Sequence, residues 1–508
     1  MLYKFTHSET VRKTLLIGVV LFASTVNRSI IAEDAPFKTD VSLADLIESK
    51  DYAAAFEKIQ AGEDVNQKQA DEMTPLHWAV YHGHNALTDK LLAVGANPDP
   101  VNRYGVPPLW IACRNGDSSS ATHLLNAGAE PNFALRGGET MLMTASRTGS
   151  APIVQSLLDH GAIINAQEQN KQTALMWAAA EGNLDAVDTL IRNGADVHLT
   201  LDSGFNAFYF AVREGFGEVA FRLVEAGIDT NARMKPKRKA SKGPSNGMNA
   251  LLLAIENGHF ELAKQLVCKG ADPNSVTTGY APLHAITWVR KPIRGDGDPP
   301  PTGSGTLTSL ELVKFLIEQG ADVNIRHRKH SARGSGLNRT DATPILLAAE
   351  TGDLPFIKLL IQHGADPQST NVDHVTPLLA ASGIGVLSNG DESAGTEKDA
   401  INTIRFLIDA GAEINSVDDQ GKTVMHGAAF KSWPTLINSL HQWGADPKIW
   451  NTKNSDGWTP LMIAEGNRPG NFRPSQPTID AIEELLRIET NSNVDPAKIP
   501  KKNLGNAR

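Results

Sequence analysis

Apolar and polar positions along the chain follow the period of short amphipathic helices that come in pairs. Between Leu184 and Ile191, apolar residues recur every three or four positions, which places them on one face of a helix. A more apolar run precedes this stretch, and its small pair, Ala178 and Ala179, lets a neighbouring helix approach closely. Gly182 separates the two runs, because glycine breaks a helix easily. The pattern predicts a helix–turn–helix unit.

The unit repeats with a period of 33 residues from position 74 to position 206, and insertions enlarge several of the later gaps. The tetrapeptide Thr-Pro-Leu-His at 74–77 has equivalents that start at positions 107, 140, 173, 206, 249, 281, 343, 376, 423 and 459. Threonine caps helix N-termini and proline suits the first helical position, so each of these eleven anchors is predicted to open a helix. A glycine 21 residues after most anchors, such as Gly161, predicts the end of the second helix. A repeat of this length predicts a solenoid.

Two motifs of the repeat resemble those of a known family. The tetrapeptide at 74–77 recurs as Ala-Pro-Leu-His at 281–284, and Gly-Ala-Asp-Val-Asn stands at 320–324. Both are similar to motifs of the ankyrin repeat family, and the resemblance covers roughly residues 42 to 488. It implies an all-α fold, namely an ankyrin repeat solenoid of stacked helix–turn–helix units with β-turn fingers, about 11 repeats and an N-terminal cap.

The resemblance also has finer implications. The family's motif histidine remains only at His77, His284 and His426, so the hydrogen bonds that it makes between repeats are expected there and not in the other repeats. Two C-terminal motifs also resemble those of exported ankyrin repeat proteins of environmental bacteria. They are Gly-Trp-Thr-Pro-Leu at 457–461 and Arg-Pro-Gly-Asn-Phe at 468–472.

Residues 1–32 have the pattern of a secretory signal peptide. Basic residues precede an apolar stretch over 14–26, and the small residue Ala32 follows it. These thirteen residues are too few to cross a bilayer, since a membrane helix needs about 20. The sequence therefore predicts a periplasmic or secreted protein with a cleaved signal and no transmembrane segment in the mature chain. Ile30 stands where a small residue is usual before a cleavage site, so a retained signal stays open.

Beyond the signal, the repeat pattern sets the domain boundaries. The predicted segments are a linker at 33–41, N-terminal capping helices at 42–70, ankyrin repeats at 71–450, a C-terminal capping repeat at 451–490 and a polar flexible tail at 491–508. Long insertions lie near 232–247, 289–308, 325–340 and 383–399. The first and third lengthen turns between repeats, and the second and fourth lengthen turns within a repeat. The two classes are therefore expected on opposite edges, about 13 Å apart.

Composition narrows the classes of function. Two cysteines among 508 residues exclude a disulfide scaffold, and both Cys113 and Cys268 are predicted to be buried thiols. A formal charge of −9 makes nucleic acid an unsuitable partner unless positive charge is segregated. No metal site or cofactor is predicted, because neither the histidines at 77, 82 and 84 nor those at 327 and 330 have a completed ligand set.

Aromatic and basic side chains form the candidate binding sites. Aromatic residues stand at helix positions that the family resemblance places on the concave face, and such rings anchor many protein interfaces. The candidate partner-binding residues are Trp78, Tyr81, Trp177, Phe210, Trp288 and Phe430. Positive charge collects in the two insertions between repeats, which predicts an anion-binding patch. Its candidate residues are Lys235, Lys237, Arg238, Lys239, Lys242, Arg326, Arg328, Lys329 and Arg333.

These features give three hypotheses of function. The first is a non-enzymatic, exported scaffold whose aromatic residues bind a protein partner and whose basic fingers steer an acidic surface; an anionic polysaccharide or a lipid headgroup stays open as the partner. The second is an envelope-associated enzyme that uses the carboxylates of the insertions. Those carboxylates are Asp296, Asp298, Asp391 and Glu392. The third is an architectural spacer without a dedicated ligand.

Overall fold

The computed structural model describes residues 41–237, 246–291, 301–328, 336–385, 395–467 and 473–491. The chain forms two compact units. Unit 1 contains the residues up to Ile228 together with Lys235–Pro244, and unit 2 contains Asp229–Met234 together with the residues from Ser245 onward. Across the described ranges the regular structure is helical, apart from one isolated β-bridge between Ala134 and Thr140.

Unit 1 is a row of helix pairs. Its helices are α1 Leu43–Glu48, α2 Tyr52–Gln60, α3 Pro75–Tyr81, α4 Asn85–Ala93, α5 Pro108–Asn115, α6 Ser118–Asn126, α7 Met141–Thr148, α8 Ala151–Asp159, α9 Ala174–Ala180, α10 Leu184–Arg192, α11 Ala207–Glu214 and α12 Gly217–Glu225. We call the first helix of each pair the inner helix and the second the outer helix. Inner helices pack on neighbouring inner helices, and outer helices pack on outer ones.

Unit 2 continues the same pattern with longer connections. Its helices are α13 Ala250–Glu256, α14 Phe260–Cys268, α15 Pro282–Arg290, α16 Ser309–Glu318, α17 Pro344–Glu350, α18 Leu354–Gln362, α19 Pro377–Ser382, α20 Glu397–Asp409, α21 Val424–Phe430, α22 Pro434–Gln442, α23 Pro447–Trp450, α24 Pro460–Ala464 and α25 Gln476–Asn491. The last helix, α25, packs against α22 and α24.

The predicted anchors start the inner helices. Each of the eleven anchor residues stands directly before an inner helix, which confirms the repeat phase read from the sequence. At the first anchor, the Thr74 hydroxyl accepts a hydrogen bond from the His77 backbone N–H, and Pro75 fills the first helical position. Five residues after the anchor, small side chains such as Ala79 and Ala178 are fully buried between adjacent inner helices. These contacts form the solenoid core.

An asparagine in the turn after each of several outer helices joins one repeat to the next. The Asn132 side-chain amide donates to the Gly161 carbonyl at 3.0 Å, and its Oδ1 accepts from the Ile163 backbone N–H at 2.8 Å. Gly161 has a φ of +88°, which an L side chain rarely adopts, and this conformation explains the glycine. Equivalent bonds are made by Asn66, Asn231, Asn274, Asn324 and Asn415.

The three motif histidines make the expected bonds between repeats. Nε2 of His77 bonds to the Val106 carbonyl at 3.0 Å, and Nδ1 accepts from the Thr74 backbone N–H. His284 reaches the carbonyl of Ala342 at 3.0 Å in the same way. His426 makes the third such bond. The expectation for these repeats is confirmed.

Two expectations about packing are wrong. Cys113 is buried as predicted, but Cys268 is exposed because it ends α14 on the solvent side. The two classes of insertion do not stay on separate edges either. The Leu337 backbone N–H, in the third insertion, donates to the Gly385 carbonyl, in the fourth, at 3.1 Å. The described residues at the end of the third insertion therefore reach the start of the fourth.

Candidate partner-binding face

The first aromatic cluster lies on α3, the second inner helix of unit 1. Trp78 is half-buried, and its ring stacks on His82 and meets Tyr81 edge to face, at centroid distances of 5.9 and 5.5 Å. The indole N–H of Trp78 donates to Gln69 Oε1 at 2.7 Å, which fixes the ring orientation. Tyr81 is 42% exposed. This cluster is a rigid aromatic surface with an accessible edge, which is what a residue that anchors a protein interface requires.

Further along unit 1, arginines lie over the aromatic rings. Trp177 is half-buried, and the Arg147 guanidinium of the preceding inner helix lies 4.9 Å from its ring centroid. Arg114 lies 5.3 Å from the ring of Trp110 within α5. The indole nitrogens of both tryptophans are buried and have no hydrogen-bond partner among the described residues. Each ring is thus held by a cation–π contact rather than by a polar bond.

Phe210 departs from its predicted role. Its side chain is only 6% exposed, because Phe205 packs against it at a centroid distance of 5.3 Å and Arg213 lies over its ring at 5.1 Å. The expectation of an exposed ring at this position is wrong. Phe210 supports the face from below.

The arginines were missed in the sequence. They occupy the position seven residues after the anchor, as Arg114, Arg147 and Arg213 do in unit 1. Aligning the anchors is enough to find this column, but the position has no turn or capping chemistry that draws attention to it. In unit 2 the same position is filled by Glu256, Trp288 and Glu350 in successive repeats. The column changes from basic to acidic between the two units.

The unit 2 aromatics are also covered by neighbouring groups. Tyr280 meets the half-buried Trp288 edge to face at 4.9 Å, and Arg339 lies 5.9 Å from the Trp288 ring centroid. Phe430 is half-buried, with the Lys422 ammonium 5.8 Å from its ring. Both predicted residues lie on inner helices, but Trp288 is overlaid by residues of the third insertion.

The basic insertions are partly described. Lys235 is exposed, and Lys237 is exposed but forms an ion pair with Asp202 at 3.4 Å. Arg328 is exposed, whereas the Arg326 guanidinium donates to the carbonyls of Asp341 and Thr370. The other predicted anion-binding residues lie outside the described residues, and they are Arg238, Lys239, Lys242, Lys329 and Arg333.

Candidate catalytic and metal-binding groups are not assembled in the described part of the chain. No group of three or more potential metal ligands occurs among the described residues. The carboxylates at 296, 298, 391 and 392 all lie outside them. None of the described helices is both long and apolar enough to cross a membrane.

A family model matches most of the repeat region. The model for ankyrin repeats in three copies matches residues 44–134, 117–201, 142–234, 196–277 and 305–386. Together these matches cover well over half of the chain.

Similar proteins share only part of their length with this chain. Palmitoyltransferase AKR1 of Lachancea kluyveri is 30% identical over 152 residues, which is 30% of this chain and 18% of that protein. Human ankyrin repeat and SOCS box protein 6 is 28% identical over 202 residues, which is 38% of this chain and 44% of that protein. This chain therefore spans less than half the length of either relative.

A solved structure is also similar. The crystal structure of the human ASB11 ankyrin repeat domain has a TM-score of 0.39 and 24% identity, covering 47% of this chain and all of that one. That likeness adds nothing to the assignment, which stands on the family match and on the eleven phased inner helices. Ankyrin repeats are protein–protein interaction modules. The chain belongs to the ankyrin repeat family.

Proposed function

We propose that this protein is an exported, non-enzymatic scaffold that binds a protein partner through the inner-helix face of unit 1. The observation that carries the proposal is the set of half-buried aromatic side chains on that face, Trp78 and Trp177, together with the exposed edge of Tyr81. Rings held in fixed orientations lose little entropy on binding and supply much of the energy of protein interfaces. The basic finger residues steer an acidic surface of the partner toward them.

The partner is first identified by a pull-down from envelope extract at low and high salt, and its affinity is then measured. Trp177→Ala is expected to weaken binding at least tenfold at every salt concentration. Trp443→Ala is the matched control, because Trp443 is also half-buried and lies under an arginine, Arg405 at 5.7 Å, but it caps an outer helix. Equal losses of affinity in both variants, or no loss in Trp177→Ala, would contradict binding through the inner-helix face.

Charge reversal tests the steering role of the basic fingers. Reversing Lys237, Arg238 and Lys239 together is expected to slow association and to flatten its salt dependence, with little change in dissociation. Reversal of Lys314, an exposed lysine on an outer helix, is the control. An unchanged association rate in the finger variant contradicts the steering role.

Export rests on the signal pattern of residues 1–32. The expected result is a processed protein in the envelope or medium whose N-terminal sequence begins at Glu33. An unprocessed chain in the cytoplasmic fraction contradicts it.

A second candidate partner is an anionic polysaccharide or a lipid headgroup. Lys235 and Arg328 favour it, because both are exposed and neither has an ion pair among the described residues. Binding to anionic polymers or vesicles that is lost in the finger variant and kept in Trp177→Ala identifies this alternative. Hydrolysis of envelope polymers by the purified chain would instead support the enzyme hypothesis.

A further inference from the structure

The third insertion lays one of its segments across the inner-helix face of unit 2. We call residues 336–341 the strap. Leu337 is 6% exposed, and its backbone N–H donates to the Gly385 carbonyl at 3.1 Å. A Cβ on Gly385 would lie 2.6 Å from the Leu337 Cβ, so the two backbones meet as closely as a glycine allows. At its end the strap is held by a bond from the Asp341 N–H to the His327 carbonyl at 2.7 Å.

The strap places a cation over an aromatic ring with acidic neighbours. Arg339 lies 5.9 Å from the centroid of the Trp288 ring. Trp288 stands between Glu256 and Glu350 in the column seven residues after the anchors. Tyr280, which packs on Trp288, donates its hydroxyl to Glu256 Oε1 at 2.5 Å. A ring flanked by two carboxylates is a site that suits a basic side chain.

One carboxylate oxygen of this pair has no hydrogen bond within the described part of the chain. Glu350 Oε2 is buried and accepts no hydrogen bond from any described residue. Burial raises the pKa of Glu350, and the positive charges of Arg339 and Lys431 oppose that rise. An unpaired buried carboxylate is costly, so a basic group that reached Oε2 would be stabilised there. Arg339 lies over the Trp288 ring but does not bond to Glu350 Oε2.

We propose that the strap is an internal ligand, and that it occupies a docking site for an extended segment of a protein partner. That segment carries an apolar side chain two residues before a basic one, in the places of Leu337 and Arg339, and its basic group bonds to Glu350. The incoming cation replaces Arg339 rather than joining it, so the charge balance with Lys431 is kept. The inference rests on the proposed function, because it names the chemistry of a partner for this second stretch of inner helices.

The test uses the full chain and a labelled peptide with the sequence of residues 335–341, Ser-Gly-Leu-Asn-Arg-Thr-Asp. A tethered segment competes at millimolar effective concentration, so the wild-type chain is expected to bind the peptide weakly. Arg339→Ala, and separately Leu337→Asp, loosen the strap and are expected to bind it at least tenfold more tightly. Adding Glu350→Gln to either variant, or replacing the peptide arginine by glutamine, should reverse that gain.

Circular dichroism and the thermal transition of each variant show that it folds. Folded strap variants that bind no peptide at millimolar concentration overturn the inference, and so does binding that ignores Glu350→Gln or equals that of the wild type. The test is separable from that of the proposed function, because Trp177→Ala lies in unit 1 and should leave peptide binding unchanged. Failure of the peptide test in turn leaves the Trp177 result standing.

Discussion

The Arg290 guanidinium donates two hydrogen bonds to the Asp353 carboxylate, of 2.6 and 2.9 Å. The Asp353 side chain is 1% exposed, and Arg290 also donates to the Ser309 hydroxyl at 2.6 Å. Arg290 lies at the start of the second insertion and Ser309 directly follows its end, so the bonds of Arg290 to Ser309 and Asp353 hold the base of that insertion against α18. The insertion is therefore anchored at both ends.

Removing the arginine should leave a buried carboxylate without a counter-charge. Arg290→Met is expected to lower the free energy of unfolding by about 3–5 kcal/mol, and adding Asp353→Asn should restore much of the loss. The control is Lys314→Met, whose exposed pair with Glu318 should contribute less than about 1 kcal/mol. Urea denaturation of the four chains measures the difference, and equal small effects at both sites would contradict the assignment.

The buried histidines should make the fold sensitive to mild acid. Burial lowers the pKa of His284 to about 3 and those of His77 and His426 to about 4. Below pH 6.5 these histidines bind protons in the unfolded chain but stay neutral in the folded chain. The free energy of unfolding therefore falls as the pH drops from 6.5 toward 4. Each histidine contributes up to about 1.4 kcal/mol per pH unit.

His284→Gln should make that pH dependence shallower between pH 6.5 and 5, although it also removes the bond to Ala342 and lowers stability at pH 7. His363→Gln is the control, because His363 is exposed. Denaturation midpoints measured between pH 6.5 and 5 give the pH dependence of stability for each chain. A slope that is the same in all three chains would rule out His284 as a source.

The two cysteines should differ sharply in reactivity. Cys268 is exposed, whereas Cys113 is fully buried and burial raises the pKa of its thiol far above the ordinary value. A thiol reagent such as dithionitrobenzoate should modify one thiol in the native chain and two in denaturant. Cys268→Ser should reduce the native count to zero. Rapid labelling of Cys113 in the native state would show that the core opens there.

Gly303 should be intolerant of a side chain. A Cβ at this position would collide with the carbonyl oxygen of Gly258, because the returning insertion packs directly on the turn before α14. Gly303→Ala is expected to release residues 301–305 and to break the bond from the Ser304 N–H to His259 Nδ1, 2.9 Å long. Limited proteolysis should then cut this segment faster. Thr302→Ala, at an exposed neighbouring position, should leave the cleavage rate unchanged.

Local chemistry explains which parts of the fold were predictable. The anchors were found because capping threonines, proline and helix-ending glycines act within a few residues of themselves. The exposure of Phe210 was not predictable in this way, because Arg213 and Phe205 cover the ring only after the repeat has folded.

The candidate site was predictable only in part for the same reason. Trp288 was correctly placed on an inner helix, but its cover depends on where a long insertion returns to the solenoid. Apart from Ile325 at its first position, Leu337 is the one large apolar residue in the basic third insertion, and that contrast was the available signal that the segment packs inward. Nothing in the spacing named Gly385 as its contact.

The asparagine bonds give the chain a polarity. Asn132 binds groups that lie further along the chain, at Gly161 and Ile163, and every equivalent asparagine points the same way. If the chain ends after a complete repeat, the asparagine side chain of that last repeat is left without its bonding partners. If the chain begins with a complete repeat, the backbone carbonyl and N–H that accept and donate these bonds are left without theirs. The two ends are complementary to each other, so whole repeats are modules that can be exchanged or added head to tail, but never reversed.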